Sequence, residues 1–225
     1  ALTRRARSRA HVCHLSTGQA VAEISKARRG GSAITCEATP HHLFLDREDL
    51  NRRGGLAVTV PPLRRASEAR ALWKSTLRGQ VDIVASDHAP HTLEEKMAGE
   101  VWAVRPGLPG LETTLSLLLT KVHQGEITLA KLVRILAENP ARIFGLKTKG
   151  HLSTGRDGDI VLIDPKERFK VDSSTFYSKA HFSPFDGLEC VGRPVMTILS
   201  GHVVYDRGEI IEENQGRVVV RGVRS

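Results

Sequence analysis

Short apolar runs that stop abruptly at ionisable residues alternate with helically spaced apolar residues through the first two-thirds of the chain. The clearest run is Asp82-Ile83-Val84-Ala85-Ser86-Asp87, which breaks at His88-Ala89-Pro90-His91. It reads as a buried parallel strand opening at its C-terminal end into a polar loop. His11-Val12-Cys13-His14 and Ala33-Ile34-Thr35-Cys36-Glu37-Ala38 end the same way, the second at Thr39-Pro40-His41-His42. Between the runs, Ser16 or Thr17 can cap a helix through Ala20, Val21, Ile24 and Ala27 that stops at Gly30-Gly31, and Ser67 to Leu77 forms another around Ala71, Leu72 and Trp73. Asp46 to Gly55 reads as a surface loop or short helix, and the charged stretch Thr92 to Arg105 as a loop over the strand ends. Glu112 to Val122 and Leu129 to Leu136 have helical spacing, followed by Asn139 as N-cap, Pro140 at the first helical position and Gly145 as a stop.

Alternating strands and helices predict an α/β fold with a parallel sheet, in which chemistry collects at the C-terminal strand ends. From about residue 150 the pattern changes to short β-like runs: Asp159 to Asp164, Val195 to Leu199, Val203 to Tyr205 and Val218 to Val220. Gly201-His202 and Asp206-Arg207-Gly208 carry hairpin-turn chemistry. The expected division is therefore residues 1–149 and 150–225.

Period-2 alternation puts Ile83, Ala85 and Asp87 on one strand face, and Val12 with His14 on one face of the earlier strand. Asp87 and His14 thereby become equivalent mouth residues. A carboxylate there suits a general base or metal ligand, and an imidazole suits a transition metal. Glu37 and His41 fit hydrogen bonding behind such ligands. Cys13 and Cys36 read as small buried hydrophobes.

The 225 residues allow one core with a small appendage. Three cysteines are too few for a disulfide framework and no apolar stretch reaches a membrane span, so a soluble, reducing, cytoplasmic setting is expected. The basic start through Arg9 lacks the apolar segment of a secretory signal. A net charge of +8 with only 4% aromatics and no nucleic-acid-binding motif favours small anions over nucleic acid as partners.

Ser86-Asp87-His88-Ala89-Pro90-His91, followed by Pro106-Gly107-Leu108-Pro109-Gly110-Leu111-Glu112-Thr113, resembles dihydroorotase of the amidohydrolase superfamily. Glu37-x-x-Pro40-His41-His42, Pro61-Pro62-Leu63-Arg64 and Asn139-Pro140-Ala141 extend the resemblance. It implies about strands six to eight of a (β/α)8 TIM-type barrel plus a small β-sandwich flanking domain, with His14 on the sixth strand and Asp87 on the eighth. The implied activity is zinc-dependent, reversible hydrolysis of dihydroorotate to N-carbamoyl-L-aspartate in pyrimidine synthesis. His14 and Asp87 would hold one or two zinc ions, with Asp87 also moving the proton. His91, Pro106, Gly107 and the position of Val60 would contact substrate, although Val60 stands where the family commonly has Asn or Arg. The family's first-strand His-x-His, fourth-strand bridging residue and fifth-strand His have no counterpart in the chain. An N-terminal portion is therefore expected to complete the site, with a homodimer or an aspartate transcarbamoylase association as further partners. The alternatives are a non-catalytic subunit scaffolding that transcarbamoylase, and another cyclic amidohydrolase such as a hydantoinase or allantoinase.

Overall fold

A computed structural model of the chain describes residues 2–97, 99–100, 102–212 and 216–219. Two compact units are present: Ala1–Thr114 with Lys170–Leu188, and Leu115–Phe169 with Glu189–Ser225. The expected boundary at residue 150 falls inside the second unit.

In the first unit, helix α1 (Leu2–Arg5) leads to strand β1 (Arg9–Val12), helix α2 (Gly18–Arg29) and strand β2 (Ala33–Ala38). Helices α3 (Pro40–Phe44) and α4 (Arg47–Arg53), a 3-10 turn (Gly54–Ala57) and helix α5 (Ala66–Leu77) precede strand β3 (Ile83–Val84) and helix α6 (Leu93–Lys96). The strands lie in the order β1-β2-β3, all parallel. Parallel neighbours need crossover connections, and α2 and α5 are the long helices of these two. All three C-terminal strand ends consequently open on one side of the sheet. Among the described residues the sheet has two free edges and is not a closed barrel.

Local chemistry sets the helix limits. Thr17 caps α2 by accepting from the Ala20 amide at 3.1 Å, Thr39 caps α3 with Pro40 at its start, and Asp46 and Asp49 form a reciprocal capping box on α4. Buried Ala69, Leu72, Trp73 and Thr76 on α5 follow the i, i+3, i+4, i+7 spacing of one helix face. Arg28, in the last turn of α2, ion-pairs with Asp82 and donates to the carbonyls of Ile34 and Gln80 at 2.9 Å each. Asp82 also accepts from the Cys36 amide at 2.8 Å, so these two side chains join α2, β2 and the approach to β3. Arg28→Met strands a largely buried carboxylate and is expected to cost about 2–3 kcal/mol of unfolding free energy in urea melts of the full-length protein. A cost below about 0.5 kcal/mol would make the pair no more than a surface ion pair.

The second unit contains most of helix α7 (Leu111–His123), then helix α8 (Leu129–Val133), a π turn (Arg134–Glu138) and helix α9 (Asn139–Phe144). Asn139 is not the expected N-cap. Glu138 before it is already helical at φ −63° and ψ −51°, and the Asn139 amide reaches the Arg134 carbonyl. Pro140 has no N–H to offer the preceding turn, and the helix passes it by widening into the π turn instead of stopping. Gly145, left-handed at φ 73°, ends the helix as expected.

Strands β4 (Ile160–Lys170), β5 (Glu189–Leu199), β6 (His202–Asp206) and β7 (Glu209–Ile210) form one sheet in sequence order, with β5/β6 and β6/β7 antiparallel. Positive φ at Ser200-Gly201 and at Arg207-Gly208 gives two-residue hairpin turns. Val218 and Val219 are outside any strand, and Val220 lies outside the described residues. None of the described helices is long and apolar enough to cross a membrane.

Candidate active site at the strand ends

The strand ends β1, β2 and β3 bring His14, His41, His42 and Asp87 to one edge of the first unit. Strand β3 is shorter than the expected Asp82–Asp87 run; after Val84 only the Ala85 amide still bonds the β2 end, at Ala38, at 3.0 Å. His14 and Asp87 then adopt φ of +38° and +48°. Simple alternation does not extend to residues with this left-handed backbone, so the side-chain directions read from period 2 do not apply to either. Non-glycine residues in that region are uncommon, and here two occur just past parallel strand ends.

Three histidine rings differ in how their nitrogens are satisfied. His42 Nε2 lies 2.9 Å from the Pro61 carbonyl and Nδ1 lies 2.7 Å from Thr39 Oγ1. A carbonyl can only accept, so Nε2 carries the proton and Nδ1 accepts from the threonine hydroxyl. His42 thereby anchors the Val60-Pro61 segment, in which Val60 itself is 66% exposed. His14 Nδ1 and His41 Nε2, by contrast, are buried with no hydrogen-bond partner. His41 Nε2 is 4.0 Å from Asp87 Oδ2, too far for a hydrogen bond.

Burial, reinforced by His42 and His14, pushes His41 down to about 3, and burial also lowers His42. Both rings are therefore neutral near pH 7, and the ring lone pair of His42 is already taken by the Thr39 hydroxyl. The unfolded chain takes up protons near 6.5, whereas folded His41 does not until about 3. As pH falls through that window the unfolded state binds more protons, so stability declines by about 1.4 kcal/mol per pH unit for this histidine. Urea midpoints of the full-length protein should fall between pH 6.5 and 4, and His41→Asn should flatten the decline. An identical decline in the variant would contradict the assignment.

Two buried nitrogens without a partner, one of them 4.0 Å from a carboxylate, are donors of the type a divalent metal takes, so the chemistry of His14, His41 and Asp87 fits a metal. A second cluster, His11, Cys13 and Glu37, is the one group of at least three possible ligands whose atoms lie within 4.8 Å of one another among the described residues. There, however, His11 already meets Thr35 Oγ1 at 2.8 Å and Glu37 Oε2 at 3.0 Å. Glu37 thus holds His11. Cys13 is exposed, not the buried packing residue expected, because it follows the edge strand of the sheet; Cys36 is buried. Burial, Glu37 and Asp87 raise the Cys13 thiol, which keeps it protonated.

The loop after β3 assembles a second wall. His91 Nε2 is 3.2 Å from the Pro106 carbonyl, and Nδ1 is 3.4 Å from Glu95. Gly107 has φ +128°, and a Cβ there would lie 2.4 Å from the Ala89 Cβ, so only glycine lets the two segments touch. His88 plays a part not foreseen from sequence: its Nδ1 accepts from the amides of Gly110 and Leu111 at 3.1 and 3.3 Å, at the start of α7. Glu112 accepts from the Tyr177 and Ser178 amides at 3.0 Å each. His14, Asp87, His91, Pro106, Gly107, Val60, Glu37 and His41 all lie in the first unit.

The chain as a whole resembles known proteins. The amidohydrolase family model matches residues 4–204. The chain belongs to the amidohydrolase family. A dihydroorotase of Methanothermobacter thermautotrophicus is 46% identical over 209 residues, which is 93% of this chain and 47% of that protein. A dihydroorotase of Pyrococcus horikoshii is 43% identical over 94% of this chain and 48% of its own length. Among solved structures, the L-hydantoinase (dihydropyrimidinase) of Arthrobacter aurescens superposes with a TM-score of 0.91 at 37% identity, covering 94% of this chain and 48% of that one. The chain spans about half the length of the relatives it matches, and the amidohydrolase resemblance seen in the sequence motifs is thereby established.

Proposed function

We propose that this amidohydrolase chain supplies about strands six to eight of a (β/α)8 barrel, with residues 1–149 in the barrel and 150–225 in a flanking β-domain, and that the complete protein is a dihydroorotase. It would catalyse reversible hydrolysis of dihydroorotate to N-carbamoyl-L-aspartate. The observation that carries the site is the pair of buried nitrogens without a hydrogen-bond partner, His14 Nδ1 and His41 Nε2, the second 4.0 Å from the Asp87 carboxylate, just past parallel strand ends. Dihydroorotase is favoured over hydantoinase by the 46% identity to a curated dihydroorotase, against 37% to the hydantoinase.

His14 and Asp87 would hold zinc, with further ligands from the part of the relatives that this chain does not span. A bound zinc ion supplies positive charge that polarises an amide carbonyl and acidifies water. Asp87 accepts the proton of the attacking water and returns it to the ring nitrogen as the amide bond breaks. The wall of His91, Pro106 and Gly107 binds the substrate carboxylate and ring amide. Val60 presents an apolar side chain there, so polar recognition falls to that wall and to residues outside this chain.

Competition assays of the full-length protein with dihydroorotate, hydantoin and dihydrouracil test this reading. Dihydroorotate, which alone carries a carboxylate, should be preferred by about 10²-fold or more in kcat/KM. A preference for hydantoin would transfer the protein to the other cyclic amidohydrolases, and turnover of none would favour a scaffolding subunit.

A further inference from the structure

Lys96 ends the one-turn helix α6 and is 0% exposed, the largest fully buried side chain of the chain's described residues. Its ammonium donates to three backbone carbonyls: Val58 at 3.0 Å, Arg105 at 2.9 Å and Gly107 at 2.8 Å. An ammonium has three donors, and all three are used. Among the described residues it has no ion-pair partner, and the Phe182 ring centroid lies 6.0 Å from it. Carbonyl dipoles alone thus compensate a buried charge, an expensive arrangement where a methionine or leucine would fill the same space more cheaply.

The direction of the carbonyls shows what the charge accomplishes. Successive carbonyls of an extended segment point to opposite sides. Those of Arg105 and Gly107 face Lys96, and that of Pro106 between them meets His91 Nε2 at 3.2 Å. Lys96 therefore grips the back of the segment whose front is the His91–Pro106 contact. Its third bond reaches Val58, two residues before Val60, and the Gly107 amide donates to that same Val58 carbonyl at 2.9 Å. The charged helix end is itself held in place, because Thr92 and Glu95 cap it reciprocally and the Arg105 amide donates to the Glu95 carbonyl at 3.1 Å.

We propose that Lys96 is a positioning residue for substrate: its ammonium locks the Val58–Val60 segment and the Arg105–Gly107 segment together, and so fixes the wall that recognises the substrate carboxylate and ring amide. The proposal rests on the dihydroorotase reading for its substrate, but not for the clamp itself. Lys96 touches no reacting atom, so its loss acts on binding more than on the chemical step.

The test uses the full-length zinc-loaded protein with Lys96→Met, which keeps length and loses charge, and Lys96→Gln, which keeps two donors. The methionine variant should raise KM for dihydroorotate by about one to two orders of magnitude with kcat within about threefold, and the glutamine variant should fall between it and wild type. Amide exchange should accelerate in peptides covering residues 56–62 and 102–110 and nowhere else. In the wild type, which requires no substitution, the Arg105 and Gly107 amides should exchange slowly. Wild-type KM in a folded variant, acceleration spread over the whole protein with KM unchanged, or free-peptide exchange at Arg105 and Gly107 in the wild type would each overturn the proposal. Failure of the wild type to turn over dihydroorotate would instead sink the functional reading, and the exchange measurements would still decide the clamp.

Discussion

Asp87→Asn should leave the full-length protein folded and lower kcat for dihydroorotate by about 10²–10⁴-fold, the range general acid–base groups contribute. The substitution keeps the shape of the side chain and its capacity to accept a hydrogen bond, but removes the charge and the ability to carry a proton. Asp87 sits at φ +48°, a conformation that asparagine tolerates at least as well as aspartate, so backbone strain should not rise. Among the described residues the basic group within 4.0 Å of its carboxylate is His41, beyond hydrogen-bond distance and neutral near pH 7. An unchanged melting temperature with turnover reduced by orders of magnitude is the expected signature. Near-wild-type turnover would remove Asp87 from the chemistry and favour a scaffolding role.

His14→Ala should weaken metal binding by at least about 10²-fold, because even groups that only support a ligand cost 10–100-fold when removed. The contrast with His11→Ala makes the experiment decisive between the two clusters. His14 has a buried Nδ1 with no partner, whereas His11 has both ring nitrogens engaged by Thr35 and Glu37. Metal content after dialysis should fall in the His14 variant and stay near wild type in the His11 variant. The reverse outcome would move the metal to His11, Cys13 and Glu37.

Much of this architecture was legible because its signals are local. Thr17 as a cap, Gly145 as a stop and the hairpin turns near Gly201 and Gly208 depend on a few adjacent residues, and each occurs where such chemistry predicts. The motifs at His41-His42 and Asp87-His88 likewise marked the strand ends, and Pro106-Gly107 marked the loop wall that meets His91. The errors arose where tertiary context overrides a local rule. Pro140 was expected to open a new helix, yet a π turn carries the helix past it. Alternation was extended to His14 and Asp87, whose positive φ values end it. Cys13 was expected to be buried, but sequence does not reveal that it follows an edge strand. The roles of His88 as acceptor for the start of α7 and of Lys96 within Glu94-Glu95-Lys96 were hidden for a related reason. Their partners lie up to 38 residues away, and a charge run looks solvated until its neighbours are known.

Zinc-dependent turnover of dihydroorotate by the full-length protein tests the central claim most directly. Activity should disappear when a chelator removes the metal and return in proportion to zinc added back, to about one or two ions per chain at full activity. Full turnover by metal-free protein, or no turnover of dihydroorotate with zinc bound, would contradict the assignment of His14 and Asp87 to a metal-dependent dihydroorotase site.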